Sequence, residues 1–290
     1  MRVLLNPGGG RSARRWPSPN NWSRRLNNYC ERRLIALEFT VIIPARFSSA
    51  RLPGKPLRDV AGKPLIQRTW EAACASAAKR VIVATDDEGI ARAVENFGGV
   101  SCMTADSHIS GTDRVAQAAT LAGLDPDQIV VNVQGDEPDM PPALVDQVAL
   151  LLHQDKVADV ATACAALEHR EQYFDSSVVK VVRDNRGHAL YFSRSPIPYS
   201  RQESPAREES IPWSHIRRHI GIYAYRHAYL QEFASREPCP PENLERLEQL
   251  RVLWHGEKIA VAEATVSPGP GVDTLDDLER VIHLFQKQNQ

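Results

Sequence analysis

Three cationic side chains follow a short run of β-branched residues near the fortieth position. The run is Val41-Ile42-Ile43, and the cations after it are Arg46, Arg51 and Lys55, interleaved with serine, proline and glycine. Cations and free backbone N–H groups in one loop suit the oxygens of a polyphosphate. A solvated basic turn is the alternative. The position after a buried strand favours anion binding, because open α/β sheets bind ligands at the carboxyl ends of their strands.

Two aspartates far apart in the sequence are candidates for a metal site. Asp136 follows the apolar run 128–133 and precedes Pro138, so its carboxylate should lie at the carboxyl end of a strand. Mg²⁺ is bound by one or two protein carboxylates together with phosphate oxygens of a substrate. Asp273 follows a Gly-Pro-Gly turn at the start of a helix, where an N-cap aspartate is the favoured interpretation from the residues alone.

The elements that must position these residues alternate in type. Apolar runs predict strands at 41–43, 80–86, 100–104 and 128–133, and helical spacing predicts helices at 64–78, 87–94 and from 110 to 121. Such alternation predicts a parallel sheet with helices on both faces. The second half is richer in strands, at 157–164, 178–183, 189–192, 220–225 and 259–264. We expect one amphipathic helix over 243–256 and a last helix from 272 to about 285.

The basic loop resembles a family signature. Its sequence PAR-x-x-S-x-RLPGKPL, together with V-Q-G-D-E-P at 133–138 and G-V-D-T at 271–274, is similar to the 3-deoxy-manno-octulosonate cytidylyltransferases. Members of this family couple CTP to the acidic sugar KDO, giving CMP-KDO for lipopolysaccharide biosynthesis. The similarity extends from about Phe39 to Phe285. It implies a Rossmann-like, GT-A-like α/β fold with a mixed, mostly parallel sheet and a strand-rich C-terminal extension.

The resemblance also implies roles for individual residues. Arg46, Arg51 and Lys55 would be catalytic, and Mg²⁺ would be held by Asp136 and Asp273. CTP would contact Ser49, Thr85, Asp86, Ser110, Gly111, Thr112, Arg114 and Gln134, although Ser110–Arg114 is also a good helix start. The sugar would contact Arg194, His219, Tyr223, Glu248 and Gln249. Of these, Arg194 has the clearest physical motive, since a guanidinium pairs with a carboxylate bidentately.

Composition and the N-terminal segment limit the possible functions and the domain organisation. The 290 residues have a formal net charge of -1, which argues against a nucleic-acid binder, and no apolar run of membrane-spanning length occurs. Five scattered cysteines without C-x-x-C favour reduced, cytoplasmic thiols. Residues 1–38 hold eight arginines against two acids, and we expect a disordered tail or a misplaced start codon. The remainder, 39–290, is predicted to be one domain with a CTP-binding half (39–155) and a sugar-binding and dimerisation half (156–290).

Three alternatives to the KDO reaction remain at this stage. A CMP-sialic acid synthetase has a different loop, I-P-A-R-x-G-S-K, from which Arg51–Pro56 departs. An enzyme for an 8-amino analogue of KDO would differ by as little as one pocket residue. A catalytically inactive nucleotide-binding relative is disfavoured by the intact Arg51, Lys55, Asp136 and Asp273. The resemblance implies a homodimer acting on the small molecules CTP and KDO, with neither membrane nor nucleic acid as partner.

Overall fold

The computed structural model describes residues 37–48, 51–199 and 215–288, and Leu37–Gln290 form one compact unit. Its strands are β1 (Phe39–Ala45), β2 (Asp59–Val60), β3 (Lys63–Pro64), β4 (Arg80–Thr85), β5 (Val100–Met103), β6 (Ile129–Asn132), β7 (Val160–Ala166), β8 (Lys180–Arg183), β9 (Ala189–Ser193), β10 (Arg217–Arg226) and β11 (Ile259–Glu263).

The helices of the described part are, in chain order, α1 (Leu65–Cys74), α2 (Glu88–Asn96), α3 (Gly111–Leu121), α4 (Pro142–Gln154), α5 (Glu171–Phe174), α6 (His227–Ala234), α7 (Pro240–Glu245), α8 (Leu250–Trp254) and α9 (Leu275–Gln288). A short 3-10 helix spans Lys55–Leu57. None of the helices in these residues is long and apolar enough to cross a membrane.

The central sheet confirms the predicted α/β architecture. Its strand order is β11-β7-β10-β6-β1-β4-β5, with β8 and β9 attached through β10. Strands β6, β1, β4 and β5 are mutually parallel, as the alternation of strands and helices predicts. The second half adds β10, which runs antiparallel between β6 and β7, and this makes the sheet mixed. Because β1, β4 and β6 point the same way, the loops after them meet at one edge.

The core explains why that edge is stable. Strand β1 is almost entirely buried, so its unbroken apolar run fits a strand covered on both faces. A smaller core cluster joins Leu52 of the basic loop to Val60, Leu65, Val272, Leu278 and Val281. Burial of one such aliphatic side chain stabilises a fold by about 1.5–3 kcal/mol. This cluster therefore fixes the basic loop against the beginning of α9.

The predicted single helix over 243–256 is wrong. The segment forms two short helices, α7 and α8, separated by Arg246, whose backbone is left-handed with φ 54° and ψ 47°. A left-handed residue ends a helix, and the N–H of Leu247 accordingly donates back to the carbonyl of Glu242 at 3.3 Å. The apolar spacing on both sides of the break conceals it in the sequence. Two other boundaries differ little from prediction, since α1 ends at Cys74 and α9 begins at Leu275.

Candidate active site

The basic loop is bent so that Lys55 points back into the fold. Gly54 has φ +67°, a left-handed conformation that side-chain-bearing residues rarely adopt, and it directly precedes the 3-10 helix. Pro56 at the start of that helix needs no N–H partner there. The Lys55 side chain is only 15 % exposed, whereas that of Arg51 is 67 % exposed. Ser49, predicted to contact CTP, lies outside the described residues.

Asp136 and Asp273 converge on one cation, although they are 137 positions apart. The Lys55 Nζ donates to Asp136 Oδ2 at 2.7 Å and to Asp273 Oδ1 at 3.2 Å. The two carboxylate oxygens can therefore be no farther apart than the sum of these distances. Arg51 Nη2 also donates to Asp273 Oδ1, at 3.0 Å. The group brought together by folding thus contains two predicted metal ligands and two predicted phosphate-binding cations.

Close backbone contacts set the position of both aspartates. The N–H of Val272 donates to the carbonyl of Asp136 at 2.9 Å, which couples the two loops directly. At Gly135, an added Cβ would lie 2.7 Å from the carbonyl oxygen of Pro44, so only glycine allows the end of β1 and the loop after β6 to approach so closely. Any larger residue at this position would move Asp136 away from Lys55.

Thr274, and not Asp273, caps the last helix. The Thr274 hydroxyl accepts from the N–H of Asp277 at 3.2 Å, and the Asp277 carboxylate accepts from the N–H of Thr274 at 2.9 Å. This reciprocal arrangement is a capping box. The N-cap interpretation that Asp273 invites from its sequence position is therefore wrong. Its carboxylate is directed to Arg51 and Lys55 instead.

The carboxylate pair suits a hard divalent cation that is also bound by a substrate. Both carboxylates already share one cationic group, the Lys55 ammonium, so the point between them stabilises positive charge. In the described part of the chain, no cluster of three or more His, Cys, Asp or Glu side chains could hold a metal. A site of two carboxylates is completed by phosphate oxygens and water, which is the coordination that Mg²⁺ prefers.

A cleft of about 310 Å³ opens beside this group. Besides Pro44, Ala45, Pro56, His108 and Gly135, it is lined by nine of the residues predicted from the sequence: Arg46, Arg51, Lys55, Ser110, Gly111, Arg114, Gln134, Asp136 and Asp273. Arg46 is exposed and makes no ion pair with a described residue, so its charge is available to a ligand. The cleft joins the loops after β1 and β6 to the start of α3.

The start of α3 is rigid and closely packed. Ser110 and Asp113 form a capping box, which confirms the helix start, and Ser110 also lines the cleft. Arg114 is buried and held in place by Asp86 Oδ2 at 2.6 Å and Thr104 Oγ1 at 2.5 Å. Arg114 lines the cleft, whereas Asp86 does not. Its predicted contact with CTP, like that of the buried Thr85, is not tested by this geometry.

Glu248 ties the second half of the chain to α3. Its Oε2 accepts from the Thr112 hydroxyl at 2.6 Å, and its buried Oε1 lies 4.0 Å from Arg251 Nη2. Burial raises the pKa of this carboxyl. Gln249 is buried beside it at the start of α8. The break at Arg246 thus turns Glu248 toward the site, although neither residue lines the cleft itself.

His219 and Tyr223 form an aromatic wall on β10. Their ring centroids are 5.4 Å apart, and Phe192 packs edge-on against His219 at 5.1 Å. Burial lowers the pKa of the His219 imidazole to about 3, so the ring is neutral at physiological pH. Burial also raises the pKa of the Tyr223 phenol well above its ordinary value. Tyr223 pairs in register with Asn132, which contacts Gln134 at the cleft.

The Arg194 guanidinium makes most of its hydrogen bonds within the protein. Its Nε donates to the carbonyl of Glu245 at 2.7 Å, its Nη1 to that of Ser176 at 2.9 Å and its Nη2 to that of Arg246 at 3.5 Å. Arginine has five N–H donors, so two remain beyond these three bonds. The group holds the loop between α7 and α8 in place, and its contact with a sugar carboxylate remains a prediction.

Two residues at the site are missed by the sequence interpretation. His108 lines the cleft, with Nε2 at 2.6 Å from Gln117 Oε1. Glu137 lies beneath Gly271, where an added Cβ would be 2.9 Å from its Oε1. Burial, with the charges of Asp136 and Asp273, raises the pKa of the Glu137 carboxyl to about 8. Glu137 belongs to the V-Q-G-D-E-P motif, but nothing in the sequence indicates that its carboxyl group is buried.

The mostly parallel sheet, the basic loop after its first strand and the paired carboxylates at the cleft define a nucleotidyltransferase. A family model described as "Cytidylyltransferase" matches residues 40–259. A 3-deoxy-manno-octulosonate cytidylyltransferase of Pseudomonas fluorescens is 52% identical over 249 residues, covering 86% of this chain and 98% of the relative. One of Idiomarina loihiensis is 51% identical, covering 84% and 97%. The chain belongs to the 3-deoxy-manno-octulosonate cytidylyltransferase family.

Two solved structures are similar to this chain, and the first agrees with this membership. The structure of a CMP:2-keto-3-deoxy-manno-octonic acid synthetase complexed with CTP is 41% identical, with a TM-score of 0.79, and covers 87% of this chain and 100% of that one. A 4-diphosphocytidyl-2C-methyl-D-erythritol synthase of Anaerococcus prevotii is 12% identical with a TM-score of 0.53, covering 86% and 99%. The second likeness concerns the fold alone.

Proposed function

We propose that this protein transfers CMP from CTP to KDO, giving CMP-KDO and pyrophosphate, and that it requires Mg²⁺. The observation that supports this most strongly is the convergence of Asp136, Asp273, Arg51 and Lys55 at one cleft beside the start of α3. A relative of 41% identity was solved with CTP, and relatives of about 50% identity are named for the KDO reaction.

In the proposed reaction, the anomeric hydroxyl of KDO attacks the α-phosphorus of CTP in line. A new oxygen–phosphorus bond forms, the bond from the α-phosphorus to the pyrophosphate oxygen breaks, and the hydroxyl proton is released. Arg46 and Arg51 lie along the cleft where they can offset negative charge on the phosphates. No covalent bond to the protein is needed.

Asp136 and Asp273 would hold the Mg²⁺ ion, which when bound polarises phosphate oxygens and offsets their charge. Lys55 Nζ donates to both carboxylates and, at 2.9 Å, to the carbonyl of Val272. Lys55 would therefore hold the two carboxylates together before the substrate binds. Gln134 and the N–H groups at the start of α3 would contact the nucleoside. His219, Tyr223, Glu248 and Gln249 would form the side of the site that receives the sugar.

The test is pyrophosphate release measured with a coupled assay. We expect release with CTP and KDO together in the presence of Mg²⁺, and none when either substrate or the metal ion is withheld. UTP and N-acetylneuraminate, tested as replacement nucleotide and acceptor, should be poor substrates. Equal turnover with N-acetylneuraminate would reassign the acceptor, and no release with any acceptor would favour an inactive relative. The 8-amino analogue of KDO, run in parallel, decides between the two closest acceptors.

We further propose a homodimer that uses the face around β9. Large apolar side chains are exposed on β9 and on the helices that pack near it, namely Leu190, Leu244 and Trp254. Exposed apolar side chains in one region are typical of protein interfaces. Light scattering after size exclusion should give a dimer for the native chain and a monomer for Leu190→Glu. Leu121→Glu is the matched control, since Leu190 and Leu121 are 59 % and 60 % exposed; a monomeric native chain would refute the proposal.

A further inference from the structure

Thr162 lies beneath His219 and touches it with its hydroxyl group. Thr162 belongs to β7 and is fully buried. Its Oγ1 is 2.7 Å from the carbonyl oxygen of Ile222, 3.2 Å from that of Ile220 and 3.0 Å from His219 Nε2. All three partners belong to β10, so one side chain contacts the backbone of that strand and the ring that stands on it.

The local irregularity of β10 explains why these groups meet. Ile220 and Tyr223 pair with consecutive residues of β7, so Gly221 and Ile222 have no partner in the register. Residues four apart in a regular strand are about 13 Å apart. Across the bulge, His219 and Tyr223 instead pair with Cys164 and Thr162, which are only two apart on β7, and their ring centroids lie 5.4 Å apart. Thr162 is therefore placed to stabilise the bulge that forms the aromatic wall.

Proton counting fixes the state of His219. The Thr162 hydroxyl has one hydrogen, and the closest acceptor for it is the carbonyl of Ile222. Toward His219 the hydroxyl oxygen can then only accept, so the hydrogen of that contact must be on Nε2. Because burial keeps the pKa of the imidazole near 3, the neutral ring carries no second hydrogen. Nδ1 is left as an acceptor, and no described residue donates to it.

We propose that Thr162 is a positioning residue that fixes the Nε2–H tautomer of His219, so that Nδ1 accepts a hydrogen bond from a hydroxyl group of the acceptor sugar. The second half of this inference rests on the proposed function. A neutral ring with a lone pair at Nδ1 cannot bind a carboxylate, because both groups are acceptors. A hydroxyl group, which can donate to Nδ1, is therefore the part of the sugar that His219 is suited to bind.

The first experiment reads the tautomer without any substrate. Long-range ¹H–¹⁵N correlation spectra of ¹⁵N-labelled protein distinguish protonated from unprotonated ring nitrogens, and His219→Asn identifies the signals of this ring. We expect Nε2–H alone in the native chain and in Thr162→Ser, which keeps the hydroxyl. Thr162→Val, which replaces the hydroxyl by a methyl group of similar size, should show a mixture. An Nδ1–H ring in the native chain, or an unchanged tautomer in Thr162→Val, would overturn the assignment.

The second experiment is steady-state kinetics on the same variants. Thr162→Val should raise the KM for KDO about three- to tenfold, the loss expected when one neutral hydrogen bond is misaligned, and leave the KM for CTP unchanged. Thr162→Ser should restore the native value. Thr40→Val is the matched control, because Thr40 is equally buried in β1 at the end of the sheet away from the cleft.

The outcomes separate this inference from the proposed function. A similar rise in both KM values, or failure of Thr162→Ser to rescue, would mean that Thr162 acts only through the stability of the sheet. If Thr162→Val does not fold, Thr162→Ser and the native chain still report the tautomer. If the native chain shows the Nε2–H ring but no turnover with KDO, the proposed acceptor is wrong while the link from Thr162 to His219 stands.

Discussion

Replacement of Asp273 by asparagine separates a metal ligand from a helix cap. In the native chain, the Asp273 carboxylate accepts from Arg51 at 3.0 Å and from Lys55 at 3.2 Å. The carboxylate is half exposed, so these pairs contribute about 0–1 kcal/mol to the free energy of unfolding. Lys55 keeps its bond to Asp136 at 2.7 Å, so no buried charge is orphaned. We therefore expect Asp273→Asn to leave the melting temperature within a few degrees of the native value.

Turnover should respond very differently from stability. Loss of one preorganised group that stabilises transition-state charge typically costs about 3–4 kcal/mol, which is a factor of about 10²–10³ in kcat. Thr274→Ala is the control, because it removes the observed cap and should cost about 1 kcal/mol of stability while retaining most of the turnover. The assay is pyrophosphate release beside thermal unfolding of the two variants. The reverse pattern, with Asp273→Asn unstable but active, would refute the geometry described for α9.

Further expected outcomes concern other parts of the chain. Arg51→Ala and Lys55→Ala should each lower kcat about 10²–10³-fold, and Lys55→Arg should rescue poorly because a planar fork does not replace a point charge; native kinetics in either alanine variant would contradict the catalytic role proposed for that residue. Arg194→Ala should raise the KM for KDO more than that for CTP, and equal rises would make Arg194 structural. The pKa of His219 near 3 lies below the ordinary value of 6.5, so between these values the unfolded chain binds more protons than the folded chain. The free energy of unfolding therefore falls as the pH falls from 6.5 to 3. His219→Asn should flatten this part of a plot of melting temperature against pH, and an unchanged slope would argue against a buried neutral ring. A chain lacking residues 1–36 should keep native turnover and melting temperature, and a large loss in either would show that this segment contributes to the fold or to the site.

The parallel half of the fold follows from the sequence because local signals agree there. The unbroken apolar run of β1 indicates a buried strand, and this strand continues through Pro44 to Ala45. The motifs around Asp136 and Asp273 likewise indicate where the loops at the cleft begin. The meeting of these two loops could not be derived from spacing, since it depends on a contact formed only in the folded chain, the bond from the N–H of Val272 to the carbonyl of Asp136 at 2.9 Å.

Features that depend on a single backbone conformation were not predictable. The left-handed Arg246 breaks a segment whose apolar spacing is helical on both sides, and arginine is not a residue that marks such a break. The three carbonyls that hold Arg194 come from two separate segments, which only the folded chain brings together. The contact of Thr162 with His219 depends on an irregular register in β10. Tertiary packing decided each of these cases.

The most direct test of the proposed reaction is ³¹P NMR of CTP, Mg²⁺ and KDO labelled with ¹³C at the anomeric carbon. With the native chain we expect equal amounts of pyrophosphate and a phosphodiester whose phosphorus couples to the labelled carbon. The same mixture with Asp136→Asn should show almost unchanged CTP. Pyrophosphate with free CMP and no coupled phosphodiester, or an identical product spectrum from the Asp136→Asn variant, would contradict transfer of CMP to KDO at the paired carboxylates.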